Sequence, residues 1–172
     1  MDVAIAQTKL REMEIERLML AYKDSLLRMC YVYLKDVSLA EDVVQETFIK
    51  AYQRYADFRG DSSEKTWLMR IAMNTCNDMR RSKWFRWMDR SVTPDTLPPA
   101  MCAFEPDDEN LIFDVMALPP KLKAVILLFY YQGMTADEVA QSLHIAKPTV
   151  YQRLNRAQAL LKCLLEGGHE GE

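Results

Sequence analysis

The sequence predicts an all-α protein with two small helical domains joined by a flexible acidic linker, the C-terminal one a helix-turn-helix. Three observations predict it. Glycine is scarce, with five in 172 residues and three of those at the C-terminal end. Apolar residues recur at three- and four-residue steps rather than alternating, which is the period of an amphipathic helix and not of a strand. Charge is blocked along the chain: +4 over residues 58–90, −6 over 91–120 and +4 over 121–163, within a net charge of −3. Two basic blocks separated by an acidic one suggest two anionic contacts and a connector.

The first helix is predicted from about 12 to 34, with Ile15, Leu18, Tyr22, Leu26, Met29 and Tyr33 on one face. "SLAE" then reads as a capping box of Ser38 and Glu41. The helix behind it buries Val44, Phe48, Ala51 and Tyr55 and turns Asp42, Gln45, Glu46 and Ile49 outward. Acids around an exposed isoleucine suit a protein-docking patch better than a DNA surface, the alternative being a plain solvated face.

"DFRGDSS" is a loop, and a third helix runs from near Thr66 to about Lys83. Leu68, Ile71, Ala72, Thr75, Cys76 and Met79 line its inner face; Arg70, Asn74, Asn77 and Arg81 form an outer stripe without a carboxylate. All three tryptophans (Trp67, Trp84 and Trp87) lie in or just beyond this helix, together with Arg80, Lys83 and Arg86. Cations and stackable rings are what single-stranded nucleic acid requires, the cations for the backbone and the aromatic faces for unstacked bases. Trp67 serves equally well as a core anchor, and Trp84 and Trp87 could pack on the linker. Met69 and Met73 are expected to be exposed.

Residues 1–90 are thus the first domain. "SVTPDTLPPAMCAFEPDDEN", residues 91–110, is the proline-rich acidic linker. A second module is expected over 111–165, with residues 166–172 as a disordered tail. Thr135 and Glu138 form a capping box in "TADE". The helix behind it buries Val139, Ala140 and Leu143. "HIA" breaks the chain, Ile145 plugs the corner, and Pro148 suits the first turn of the last helix, where a missing N–H costs nothing. Val150, Leu154, Ala157, Leu161 and Leu164 are the inward stripe. This is a helix-turn-helix. Its second helix presents Thr149, Gln152, Arg153 and Arg156, flanked by Tyr151 and Asn155, with no acid from Lys147 through Leu165. Arginine can pair bidentately with guanine and glutamine with adenine.

The four cysteines (Cys30, Cys76, Cys102 and Cys163) are scattered, and only His144 and His169 could join them. A disulfide framework or zinc site is not expected, nor are a cofactor, a catalytic residue or an enzyme activity. No Gly-rich phosphate loop or nucleophile–base pairing is present. The first residues lack the basic-then-apolar pattern of a signal peptide, so a cytoplasmic protein is expected.

The runs "AEDVVQETFIKAY" and "TWLMRIAMNTCNDMRR", an acidic linker, and "ALPPKLKAVILLFYYQGMTADEVAQSLHIAKPTVYQRLNRAQALLK" occur in that order. Together they resemble the extracytoplasmic-function (group IV) sigma factors of bacterial RNA polymerase, from about Tyr22 to Lys162. The resemblance implies that Asp42, Gln45, Glu46 and Ile49 bind the β′ clamp helices of core polymerase, with a further contact to the β flap. It gives capture of the melted −10 strand to the loop Phe58–Lys65 and to Trp67, Arg70, Asn74, Asn77, Arg80 and Arg81. It gives −35 duplex recognition to Lys147, Thr149, Tyr151, Gln152, Arg153, Asn155 and Arg156. It also implies an anti-sigma partner, often membrane-anchored, for which Met69 and Met73 mark a surface. Glu64, Lys123, His144 and Tyr151 depart from the family's usual residues. A plain helix-turn-helix regulator would explain residues 111–165 alone. A protein-binding adaptor bundle would explain the helices without their cations.

Overall fold

The computed structural model describes residues 2–82 and 106–167, and side chains over 3–82 and 111–166. Seven α-helices are present among the described residues: α1 (Asp2–Leu34), α2 (Val37–Arg54), α3 (Glu64–Arg81), α4 (Pro106–Ala117), α5 (Pro120–Ile126), α6 (Ala136–Leu143) and α7 (Lys147–Gly167). A 3-10 turn, Tyr55–Asp57, follows α2, and α5 continues as a wider π-helical turn over Leu127–Tyr131. Most of the linker, with Lys83, Trp84, Phe85, Arg86, Trp87 and Cys102, lies outside the described residues. So does the tail beyond Gly167.

The first unit is α1, α2 and α3. The stripe on α1 is inward as predicted: Ile15, Leu18, Leu26, Met29 and Tyr33 are buried, and Tyr22 packs against them. α1 starts well before residue 12 and leaves Val3, Ile5, Leu10 and Met13 exposed. It ends where Lys35 turns left-handed at φ 60°. α2 then begins two residues earlier than the expected cap would place it. Asp36, not Ser38, is the N-cap, its Oδ1 accepting from the Leu39 N–H at 2.8 Å. The carboxylate immediately after the left-handed residue reaches the free amides first, and this leaves Ser38 in the first turn. α3 starts at Glu64, with Ser63 Oγ accepting from the Thr66 N–H at 3.1 Å. Cys30 and Cys76 are both fully buried as free thiols and touch across α1 and α3, Sγ to Sγ 3.6 Å.

The second unit is α4 to α7. α4 begins at Pro106, inside the stretch expected as linker. The Thr135–Glu138 capping box is complete, with both reciprocal bonds formed. His144 takes the left-handed corner at φ 53°, Ile145 is half-buried against the core, and α7 opens with Pro148 in its first turn. Val150, Leu154 and Ala157 are buried, but Leu164 is exposed: α7 has run beyond the body it packs on, so the last turn of its stripe meets no partner.

The two units pack against each other. α3 touches α1, α2 and α6, while α1 also meets α4 and α5. Polar contacts cross the joint. Gln132, buried on the second unit, donates through Nε2 to the Ser25 carbonyl at 3.2 Å, while its own carbonyl accepts from Lys65 Nζ. Lys123 Nζ donates to the Tyr33 carbonyl at 3.4 Å. Thr66 Oγ1 donates to Glu138 Oε1 at 3.0 Å, and Ser142 Oγ to the Thr66 carbonyl at 3.4 Å. Packing on three sides corrects one expectation: Met69 and Met73 are fully buried, because α3 has no free apolar flank once α6 is docked.

Candidate polymerase and nucleic-acid interfaces

On α2 the outward residues fall where the helical period puts them. Asp42, Gln45 and Ile49 are exposed; Glu46 is half-exposed and pairs with Lys50 at 3.5 Å. Behind them, α1 and α2 enclose an open groove of about 740 Å³ whose walls include Met19, Leu27, Phe48, Ile49 and Tyr52, with Gln45 and Glu41 at its edge. An apolar trough with Glu41 and Lys23 at its edge suits another protein's helix or loop.

On α3 the polar stripe lies beside α6 and is partly covered: Arg70 and Asn77 are half-buried, Asn74 and Arg81 exposed. Arg70 lines a cavity of about 310 Å³ with Asp57, Phe58, Arg59, Trp67 and, across from them, Gln141 of α6. Trp67 is half-buried, its ring 5.0 Å from Phe58 and 6.2 Å from Tyr55 centroid to centroid, so one face is committed to an aromatic cluster. Asn74, Asn77 and Arg81 line a second cavity of about 450 Å³, closed by Leu143 and His144 at the C-terminal end of α6. That end carries the negative pole of the helix and suits the cations facing it. Asn77 is half-buried, its Oδ1 accepting from Tyr33 Oη at 2.8 Å. Arg80 lies apart from the rest of the stripe, beside Tyr33. Burial raises the Tyr33 phenol, and the Arg80 guanidinium opposes that rise.

On α7, Lys147, Tyr151, Gln152, Asn155 and Arg156 are exposed and Thr149 and Arg153 half-exposed. Lys147 Nζ pairs with Asp137 at 2.8 Å, and that hydrogen bond raises its pKa. Thr149, Gln152, Arg153 and Arg156 line a third cavity, of about 470 Å³, together with Arg80 of α3 and Lys121 of α5.

The structure therefore brings Thr149, Gln152, Arg153 and Arg156 of the α7 set together on one cleft, with Lys147, Tyr151 and Asn155 exposed beside them, and the α2 set on one helix face. It splits the α3 set among three cavities. Sequence reasoning missed Glu138, Lys121 and the end of α6. Glu138 was legible only as a cap. Its carboxylate, held below the usual range first by the Thr135 N–H, also accepts from Thr66 and Ser63. Lys121 follows two prolines with no local signal of function. Lys123 is buried at the joint; burial, then Lys35 and Arg80, lower its pKa to about 7. Among the described residues no group of His, Cys, Asp and Glu gathers as metal ligands, and no helix is long and apolar enough to cross a membrane.

Residues 18–86 match the family described as Sigma-70 region 2, and residues 115–161 match Sigma-70, region 4. ECF RNA polymerase sigma factor SigL of Mycobacterium tuberculosis is 37% identical over 140 residues, covering 76% of this chain and 77% of SigL. The probable RNA polymerase sigma factor RfaY of Xanthomonas campestris is 29% identical over 155 residues, or 85% of this chain, which spans only 39% of the length of RfaY. In fold, the chain is similar to the sigma factor RpoE of Bartonella quintana, solved in complex with the anti-sigma factor NepR. The TM-score is 0.76 at 24% identity, covering 89% of this chain and 97% of RpoE.

Proposed function

Because the chain belongs to the extracytoplasmic-function sigma factors of RNA polymerase, we propose that it docks on core polymerase through α2 and reads promoter DNA through α3 and α7. The observation that carries this reading is a pair of polar faces built from arginines and amide side chains. One is Arg70, Asn74, Asn77 and Arg81 on α3, the other Gln152, Arg153, Asn155 and Arg156 on α7, and they stand on separate units of one chain. A duplex reader needs one such face. A factor that holds an opened strand with one unit and closed duplex with the other needs two.

In this reading Asp42, Gln45, Glu46 and Ile49 meet the β′ clamp helices, and the second unit meets the β flap. The loop Phe58–Lys65, Trp67, Arg70, Asn74, Asn77, Arg80 and Arg81 hold the melted −10 strand. Lys147, Thr149, Tyr151, Gln152, Arg153, Asn155 and Arg156 read the −35 major groove. The steps are binding steps. A captured base contributes roughly 1–3 kcal/mol against about 1.4 kcal/mol per duplex step lost, so a few bases leave a small surplus and melting depends on the promoter. The units must also part. α6 crowds one side of the α3 stripe, and the clefts between the units are far smaller than a duplex whose major groove alone is about 12 Å wide. An anti-sigma protein is the partner that would hold the factor off polymerase.

Run-off transcription with core polymerase on a promoter-fragment library tests the reading. Wild type should initiate at discrete sites. Asp42→Ala/Glu46→Ala should lose initiation together with polymerase binding; Arg156→Ala should lose initiation while keeping polymerase binding. Activity untouched by these changes would overturn the assignment.

A further inference from the structure

The cleft between α3, α5 and α7 gathers cations that no described carboxylate in its lining balances. Arg80, Lys121, Arg153 and Arg156 line it, with Thr149 and Gln152 between them, and no carboxylate is among its lining residues. Four cations elsewhere are ion-paired: Arg17 with Glu14 and Glu64, Lys50 with Glu46, Lys147 with Asp137, and Lys162 with Glu166. None of the four in the cleft forms an ion pair among the described residues. The Arg80 Nε is moreover shielded from solvent without a hydrogen-bond partner, although a buried unsatisfied donor costs about 1–3 kcal/mol. The field reaches Lys123, whose ammonium is disfavoured partly by Arg80.

We propose that this cleft is a binding site for a small polyphosphate anion, and that the anion holds the two units together. Size and charge select the ligand. A volume of about 470 Å³ lies in the range of small-molecule sites, roughly 300–1,000 Å³, and excludes a duplex. Four cations converging from three helices match several phosphate charges in one molecule, and guanidinium groups bind phosphate oxygens through paired N–H donors. Two of the four, Arg153 and Arg156, belong to the face read above as contacting the −35 duplex, so the inference rests on that reading in its consequence. A bound polyphosphate and the promoter would compete for the same side chains.

The test uses the full chain and inorganic tripolyphosphate, with ATP and GTP as separate arms and sulfate at matched ionic strength as control. Calorimetry without magnesium should show saturable tripolyphosphate binding that sulfate does not reproduce. Tighter binding of ATP or GTP would identify a nucleotide as the source of the polyphosphate; equal or weaker binding would identify the inorganic chain. Lys121 is exposed, and so can be changed without disturbing the core. Lys121→Ala should weaken binding about tenfold and Lys121→Glu about a hundredfold. Both variants should keep wild-type run-off transcription, which the polyphosphate should inhibit in the wild type and far less in Lys121→Glu. No saturable binding, or binding indifferent to Lys121, overturns the proposal while leaving the transcription assay intact. Binding as described with no initiation by the wild type overturns the sigma-factor reading and leaves the site standing.

Discussion

α2 and α3 are consecutive helices of 18 residues each, packed side by side, and each carries a polar stripe opposite its apolar one. Their fates differ. The outer face of α2 is open, with its acids and Ile49 in solvent and an apolar groove behind them. The outer face of α3 is bordered by α6, which leaves Arg70 and Asn77 half-buried while Asn74 and Arg81 stay exposed. The cause is electrostatic as much as steric. The C-terminal pole of α6 suits the cations of the α3 stripe, and Glu138 of α6 accepts from Thr66 and Ser63 at the start of α3. The structure thus leaves the α2 face open and restricts access to the α3 face, while most of the polar face of α7 stays exposed.

The comparison breaks most sharply at Ser142. Its side chain is fully buried on α6, against the carbonyl of Thr66. Ser142→Arg would place an unpaired guanidinium there, at a cost of at least about 3 kcal/mol, more than the joint should withstand. The expected result is a larger radius of gyration by X-ray scattering with unchanged helix content by circular dichroism. Ser142→Ala, which loses one long hydrogen bond, should stay compact. A compact Ser142→Arg protein would mean that α3 is not held by this contact.

Much of each unit was legible because its signals are local. The Thr135–Glu138 box, the break at His144 and Pro148 in the first turn of α7 all lie within a few residues of what they determine, and the helix-turn-helix follows from them. The α1 stripe was legible from period alone. Local signals failed where the answer lay in the other unit. Met69 and Met73 flank an amphipathic helix and look exposed until α6 is added. Arg80 belongs by spacing to the α3 stripe but points to a cleft shared with Lys121 and α7. Asp36 was missed for a different reason: Ser38 and Glu41 match the capping-box pattern, and nothing in the sequence says that Lys35 will turn left-handed and present the earlier carboxylate to the helix start.

A smaller effect sharpens the comparison at the joint itself. Lys123, buried against Tyr33, has its pKa lowered to about 7, while an exposed lysine titrates near 10.4. Between those values the unfolded chain carries a proton that the docked one lacks, so docked stability should rise with pH from about 7 towards 10, by up to about 1.4 kcal/mol per unit. Below pH 7 both states are protonated and this slope disappears. Urea unfolding at pH 6, 7.5 and 9 measures it. Lys123→Met should flatten the profile and stabilise the protein at pH 6 by about 1–3 kcal/mol. An undiminished slope in that variant would assign the titration to another group.

The smallest expected effects ask whether the two units behave as one body. Among the described residues each contains one non-glycine residue in the left-handed region, Lys35 at φ 60° and His144 at φ 53°. Glycine relieves that strain, and its greater freedom in the unfolded chain offsets part of the gain, so each substitution should stabilise by about 0.5–1 kcal/mol. Lys35 also helps to lower the Lys123 pKa, so Lys35→Gly carries a second, pH-dependent gain that Lys35→Asn shares and His144→Gly does not. If the docked units unfold together, Lys35→Gly and His144→Gly raise one common transition and their effects add in the double variant. If each raises a separate transition, the units unfold independently, and the cover over α3 is a contact that opens without cost to either fold.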